Sequence, residues 1–239
     1  MACHQRSTSL PSLPHSIDSN VEQELQGLRA TISSPSVTID AMCHGLRRLG
    51  DVYSCVEEMM CLPSHRLSAA RQRKMVEEEL DRSLGLIDLC SAMQESLAEL
   101  KMSVQELRLV LKRGDGVAAQ IKMEAFVRMA KKAQKPLRKT TSCKAVDEGC
   151  RVVRLMAEAR EMAGSLLEST SQLLPKQVGS PSASKWSLVS KRFQRRKVVC
   201  EEQQLQALES SMGELEDGVE LLFRRLIQSR VSLLNILSS

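Results

Sequence analysis

The chain of 239 residues contains very few aromatic side chains. They make up 2% of the sequence, with one Tyr, one Trp and three Phe. Because the strands of sandwiches and barrels are enriched in aromatic and β-branched residues, an all-β fold is disfavoured. The 42% of hydrophobic residues are mainly Leu, Val, Met, Ala and Ile, and this is enough to build a buried core. We therefore expect an all-α protein.

Long apolar runs are also absent. No stretch of about 18 apolar residues occurs, so a transmembrane helix is not expected. No apolar segment typical of a secretory signal follows Met1, and we expect a cytoplasmic protein. Residues 1–17 are rich in Ser, contain one Arg and lack acidic residues, which leaves plastid import as an alternative. With a net charge of +5 and few aromatics, nucleic-acid binding is not expected.

The motifs of common enzyme and cofactor sites are missing. There is no Gly-rich phosphate loop, no H-E-x-x-H, no nucleophile elbow and no C-x-x-C. The eight cysteines lie within apolar helical patterns and are interpreted as reduced core residues. The best metal candidate has gaps too long for a structural zinc site, and its members are Cys43, His44, Cys55, Cys61 and His65. We expect no metal, no cofactor and no catalytic residue.

Proline is absent between Pro63 and Pro136, which leaves room for one very long helix. Over 68–112 the apolar residues recur every three or four positions, as in a helix with one buried side. They are Val76, Leu80, Leu84, Ile87, Cys90, Met93, Leu97, Leu100, Val104, Leu107 and Leu111. Such a helix would span about 65 Å and needs partners along its length. We predict an elongated bundle of long antiparallel helices.

The remaining segments divide the chain into a flexible Ser/Pro-rich arm at 1–17 and one helical-bundle domain at 18–239. Ser19 and Glu22 have the spacing of a capping box, which predicts the start of the first helix. Pro175, Gly179 and Pro181 predict a loop at 175–184. The other predicted helices cover 38–61, 117–139 (kinked or broken by Pro136), 142–174 and the closing segment after 184–197.

The closing helix has apolar residues in a strict alternation of three and four, from Leu205 to Leu226. This spacing predicts a helix-helix seam inside the chain, with an intermolecular coiled coil as the alternative. The end of the helix is apolar over a wide arc, so we expect it to be buried among at least two other helices. The residues of that arc are Leu221, Leu222, Phe223, Leu226, Ile227, Val231, Leu233, Leu234 and Ile236.

Charge is separated along the chain. Segments 117–144 and 185–197 are rich in Lys and Arg, whereas the charged residues of 201–223 are all acidic. This separation favours pairing within the chain. The segment 185–199 also has apolar residues interspersed with cations, as in a helix that binds calmodulin or an anionic membrane. The residues of this candidate site are Trp186, Lys191, Arg192, Phe193, Arg195, Arg196 and Lys197.

A phosphorylation motif lies in the N-terminal arm. Arg6, Ser9 and Pro11 fit the pattern that 14-3-3 proteins bind once the serine is phosphorylated. Phosphoserine would supply the charge that an Arg cluster binds. The alternative is that the arm has no such partner and docks across one end of the bundle.

Four stretches together resemble the plant-specific BYPASS-like family, a domain of unknown function. They are "RSTSLPSLPHS…VEQELQGLR", "DLCSAMQESLAELKMSVQELRLVLKR", "SKWSLVSK" and "LFRRLIQSRVSLLNIL", and the similarity covers nearly the whole chain. The resemblance implies an all-helical, non-enzymatic regulatory protein linked to root and shoot development, without catalytic residues to carry over. Its protein partner is not implied by the resemblance.

Overall fold

The fold consists of α-helices joined by short connections. The structure is a computed structural model that describes residues 14–60, 70–137, 150–178 and 191–238. Six helices account for nearly all of them, and no strand occurs in these ranges, so the all-α prediction is confirmed. They are α1 (Pro14–Ile32), α2 (Ile39–Met60), α3 (Ala70–Lys112), α4 (Gly116–Leu137), α5 (Arg151–Gln177) and α6 (Lys191–Ser238).

Local chemistry explains where several helices begin. The hydroxyl of Thr38 accepts a hydrogen bond from the amide of Ala41 at 3.2 Å, and it thereby caps α2. The carboxylate of Asp115 does the same for the amide of Ala118 at 3.0 Å, at the start of α4. Gly114, with φ of 74°, turns the chain between α3 and α4. The predicted bounds of the second and third helices agree with α2 and α3 within two residues.

Proline positions account for three differences from the prediction. α1 begins at Pro14, so residues 14–17 are helical and Ser19 lies inside the helix instead of capping it. Proline is favoured at the first helical position because its fixed φ suits a helix and the missing N–H has no helical acceptor there. Pro136 and Pro175 lie in the last turns of α4 and α5, which end at Leu137 and Gln177. The predicted loop thus starts after 177, and residues 179–184 lie outside the described ranges.

The two longest helices, α3 and α6, run antiparallel and form the most extensive helix contact. Three polar contacts fix their register: Gln94 with Glu220 at 2.5 Å, Lys101 with Glu216 at 2.6 Å, and Lys112 with Glu202 at 3.0 Å. The acids of the closing helix therefore pair within the chain, as predicted. Their partners on α3 belong to neither of the two basic segments.

α6 also packs along α2, and these two helices run parallel. Arg47 contacts Glu214 at 2.8 Å, and the hydroxyl of Ser229 donates to Glu57 at 3.1 Å further along both helices. The bundle is therefore not antiparallel at every contact. α5 packs against α1, α2, α3 and α4, so the core lies between α5 and the α2–α6–α3 layer. α4 covers α3 and α5, and α1 covers α2 and α5.

The seam predicted for the closing helix is buried inside the chain. All seven residues from Leu205 to Leu226 in the alternation of three and four are at most 7% exposed. They pack in the same core as the buried residues of α2 and α3. The intermolecular coiled coil through this seam is therefore wrong, because the seam already has its partners.

Candidate interaction face

One side of the bundle carries a group of exposed apolar side chains from two helices. Leu84 of α3 is 48% exposed, and Ile227, Val231 and Leu234 of α6 are 43%, 53% and 49% exposed. Phe223, one turn before Ile227, is half-buried. We call these five residues the α3/α6 face. Isolated apolar residues are common on protein surfaces, but a contiguous apolar group often marks an interaction site.

The two parts of the face lie at the same level of the bundle. The guanidinium of Arg230 donates to the backbone carbonyl of Leu80 and, at 2.6 Å, to the hydroxyl of Ser83. Leu84 follows Ser83 directly, while Ile227, Val231 and Leu234 lie within one turn of Arg230. An open groove of about 580 Å³ runs along α6 here, lined by Phe223, Arg224, Ile227, Gln228, Val231 and Ser232.

This face corrects two expectations from the sequence. The spacing predicts Leu84 on the buried side of the long helix, and it predicts Ile227, Val231 and Leu234 in a helix end buried among at least two other helices. The end of α6 does pack against two helices, and Leu222, Leu226 and Leu233 are at most 1% exposed. Two neighbours cover only part of the circumference of a helix, so an arc as wide as this one keeps an exposed edge.

The borders of the α3/α6 face carry opposite charges. On the α6 border, the side chain of Arg224 is 72% exposed and forms an ion pair of 2.7 Å with Glu220 on the same helix. On the α3 border, Asp81, Asp88 and Glu95 are exposed. Asp88 forms no ion pair with any residue that the structure describes. The α6 border therefore presents an exposed guanidinium, which is paired with Glu220, and the α3 border presents exposed carboxylates.

A second polar group is buried where α2, α3 and α5 meet. Glu79 and Arg160 form an ion pair of 2.8 Å, with side chains 2% and 10% exposed. The hydroxyl of Tyr53 and the second carboxylate oxygen of Glu79 have no hydrogen-bond partner among the residues that the structure describes. Burial raises the pKa of Glu79 despite the opposing effect of Arg160, and burial also raises that of Tyr53. The core encloses this pair, so its role is to join α3 to α5.

The described cysteines behave as core residues. Cys43 and Cys90 are buried, Cys55 and Cys150 are half-buried, and all four are free thiols. Burial raises the pKa of Cys43 to about 11 and that of Cys90 to about 12. Cys61 and His65, which belong to the candidate metal site considered from the sequence, lie outside the described ranges. Within those ranges, no group of His, Cys, Asp and Glu could hold a metal ion.

The interaction motifs predicted from sequence lie mostly outside the described residues. Arg6, Ser9, Pro11 and Trp186 belong to this undescribed part, so the 14-3-3 motif stays a prediction. For 191–197 the backbone is helical and continuous with α6. A separate groove between α4 and α5 is basic, with Lys131, Lys135 and Lys176 among its lining residues. Sequence reasoning missed the α3/α6 face, although the width of the apolar arc at the end of α6 was a hint of it.

The fold and the face together define a class of protein. It is an all-α helical bundle whose described surface includes an apolar face with charged borders. The chain belongs to the family described as Protein BPS1, whose model matches residues 45–236. This confirms the resemblance to BYPASS-like proteins. No curated protein and no solved structure matches the chain. None of the described helices is long and apolar enough to cross a membrane.

Proposed function

We propose that this protein is a non-enzymatic regulator of root and shoot development that acts through protein-protein contacts at the α3/α6 face. Membership of the BPS1 family supports a role in plant development. The observation that carries the mechanism is the group of half-exposed apolar residues on two adjacent helices. The face is open and apolar, with few polar groups that could orient a small substrate, and this favours a binding surface over a catalytic one.

Exposure of this group has a free-energy cost that a partner would remove. Each apolar side chain that is transferred from water to an interface contributes on the order of 1 kcal/mol or more, depending on the area covered. Leu84, Ile227, Val231 and Leu234 each leave about half of their surface uncovered. A partner that covers all of them would gain several of these contributions at once, before the costs of association.

The test compares partners of the wild-type protein with those of a face variant in plant tissue. Val231→Glu places a charge in the centre of the face, and Val117→Glu is the control because Val117 on α4 is 75% exposed outside the face. Proximity labelling should lose a set of partners for Val231→Glu and keep that set for Val117→Glu. Root and shoot growth of a loss-of-function line should be restored by the control alone. Full restoration by Val231→Glu would contradict the proposal.

The second candidate function is a peripheral adaptor that binds calmodulin or an anionic membrane through 185–199. The helical backbone over 191–200 favours it, since both ligands recognise amphipathic helices with basic residues. A peptide of this stretch should bind calmodulin or anionic liposomes at near-physiological salt, and Trp186→Ala with Phe193→Ala should weaken the binding. If the wild-type peptide binds neither ligand, this candidate is wrong.

A further inference from the structure

The charges around the α3/α6 face are arranged so that the face is complementary to itself. Arg224 borders it on α6, and Asp88 borders it on α3. The contact of Gln94 with Glu220 shows that Gln94 of α3 and Glu220 of α6 lie at the same level of the bundle. Arg224 lies one turn beyond Glu220, and since the helices are antiparallel, it stands opposite α3 residues close to Asp88.

A two-fold axis parallel to the helices would use this arrangement. Such an axis places α6 of one copy over α3 of the other and preserves the level along the bundle. Arg224 of each copy then faces Asp88 of the second copy, and Leu84 of each copy meets the apolar residues of the other copy's α6. A two-fold axis across the helices would instead stack α6 on α6 and α3 on α3, so that Arg224 would not lie opposite Asp88.

We infer that the α3/α6 face binds a second copy of this chain in a two-fold symmetric dimer with Arg224 opposite Asp88. This inference rests on the proposed function, because it names the partner of the same face. A face that binds its own equivalent is the usual origin of symmetric dimers. The apolar centre is small, so the dimer is weak, with a dissociation constant on the order of micromolar. Added salt should weaken it further, since its border contacts are exposed ion pairs.

The decisive experiment is a charge swap measured by sedimentation velocity of the purified full-length chain over a range of concentrations. Arg224→Glu and Asp88→Arg should each weaken dimerisation about tenfold, because each places like charges opposite one another. The double variant should restore dimerisation to near the wild-type level. Arg128→Glu is the matched control, since Arg128 on α4 is 69% exposed and pairs with Glu124 four residues earlier, as Arg224 does with Glu220.

Circular dichroism and thermal unfolding of every variant verify that the fold is unchanged. A wild-type chain that stays monomeric up to hundreds of micromolar would overturn the dimer, and so would a double variant no better than the single ones. Either result leaves the proposed function open to its own test, because the partners lost by Val231→Glu would then be different proteins. Loss of dimerisation in Val231→Glu, together with dimerisation of Val117→Glu, would support the inference.

Discussion

Gly218 allows α6 to approach α2 closely, and this makes a sharp prediction for Gly218→Ala. A Cβ atom at this position would lie 3.0 Å from Cβ and 3.2 Å from Cδ1 of Leu46. The Cβ of Leu46 is attached to its backbone and cannot rotate away, so relief requires the two helices to separate. Gly85 on α3 is the matched control, because a Cβ there would meet nothing within 4 Å.

The two substitutions share one favourable effect and differ in packing. Alanine is about 1 kcal/mol better than glycine inside a helix, so Gly85→Ala should be stabilising by about that amount. Overpacking of a core contact costs about 1–3 kcal/mol, so Gly218→Ala should be destabilising by about 1 kcal/mol net. The expected difference between the variants is about 2 kcal/mol, or several degrees in Tm for a chain of this size.

The assay is urea unfolding followed by circular dichroism, with thermal unfolding as a second measurement. A lower free energy of unfolding for Gly218→Ala and a higher one for Gly85→Ala would agree with the structure. If Gly218→Ala proved as stabilising as Gly85→Ala, the close approach of α2 and α6 at Leu46 would be refuted. The parallel packing of these helices would then need revision.

Three further predictions concern the core and the buried groups. Leu226→Ala should lower the free energy of unfolding by about 2–5 kcal/mol, and Ile227→Ala should lower it by well under half of that. The reason is that Leu226 is 1% exposed and Ile227 is 43% exposed. Equal losses in urea unfolding would contradict the exposure of Ile227 in the α3/α6 face. Burial raises the pKa of Glu79 above its ordinary value of 4.5, so just above that pH the native state binds more protons than the unfolded chain. The stability of the wild type relative to Glu79→Gln should therefore fall as pH rises from about 4 to about 7. A rise of this stability difference would contradict the prediction. Burial raises the pKa of Cys43 to about 11 and that of Cys90 to about 12. Both thiols should therefore react with a thiol reagent much more slowly in the native chain than after unfolding. Mass spectrometry of labelled peptides would measure the two rates, and equal rates would refute the burial of these cysteines.

The helices of the central layer were predictable from the sequence because their limits are chemical. Thr38 begins α2 as a cap, and the glycine-rich turn around Gly114 ends α3, so both limits can be recognised without tertiary information. The limits set by proline were less predictable. Proline in a last turn keeps a helical φ and removes one hydrogen bond, so α5 continues past Pro175 to Gln177.

The α3/α6 face could not be derived from periodicity alone. A helical pattern identifies which residues share a side of the helix, but the number of neighbouring helices decides how much of that side is covered. Leu84 and Leu80 are both part of the apolar pattern of α3, yet they are 48% and 7% exposed. The difference arises from the position of α6, which depends on contacts between residues far apart in sequence.

One side of α6 changes its chemistry along the helix, and this change explains why the face lies where it does. From Glu202 to Glu220 the side toward α3 is acidic, and it is matched by Lys112, Lys101 and Gln94. After Glu220 the same side continues with Phe223, Ile227 and Val231, at a helical spacing of three to four residues.

At this level α3 presents Leu84 in place of its cations, and the contact between the two helices leaves both sets of apolar residues half-exposed. The ion-paired part of the α3–α6 contact thus has its partners within the chain, whereas the apolar part is only partly covered. A ligand that complements that part brings an apolar centre, with an acid near Arg224 and a base near Asp88. A second copy of the same two helices provides all three.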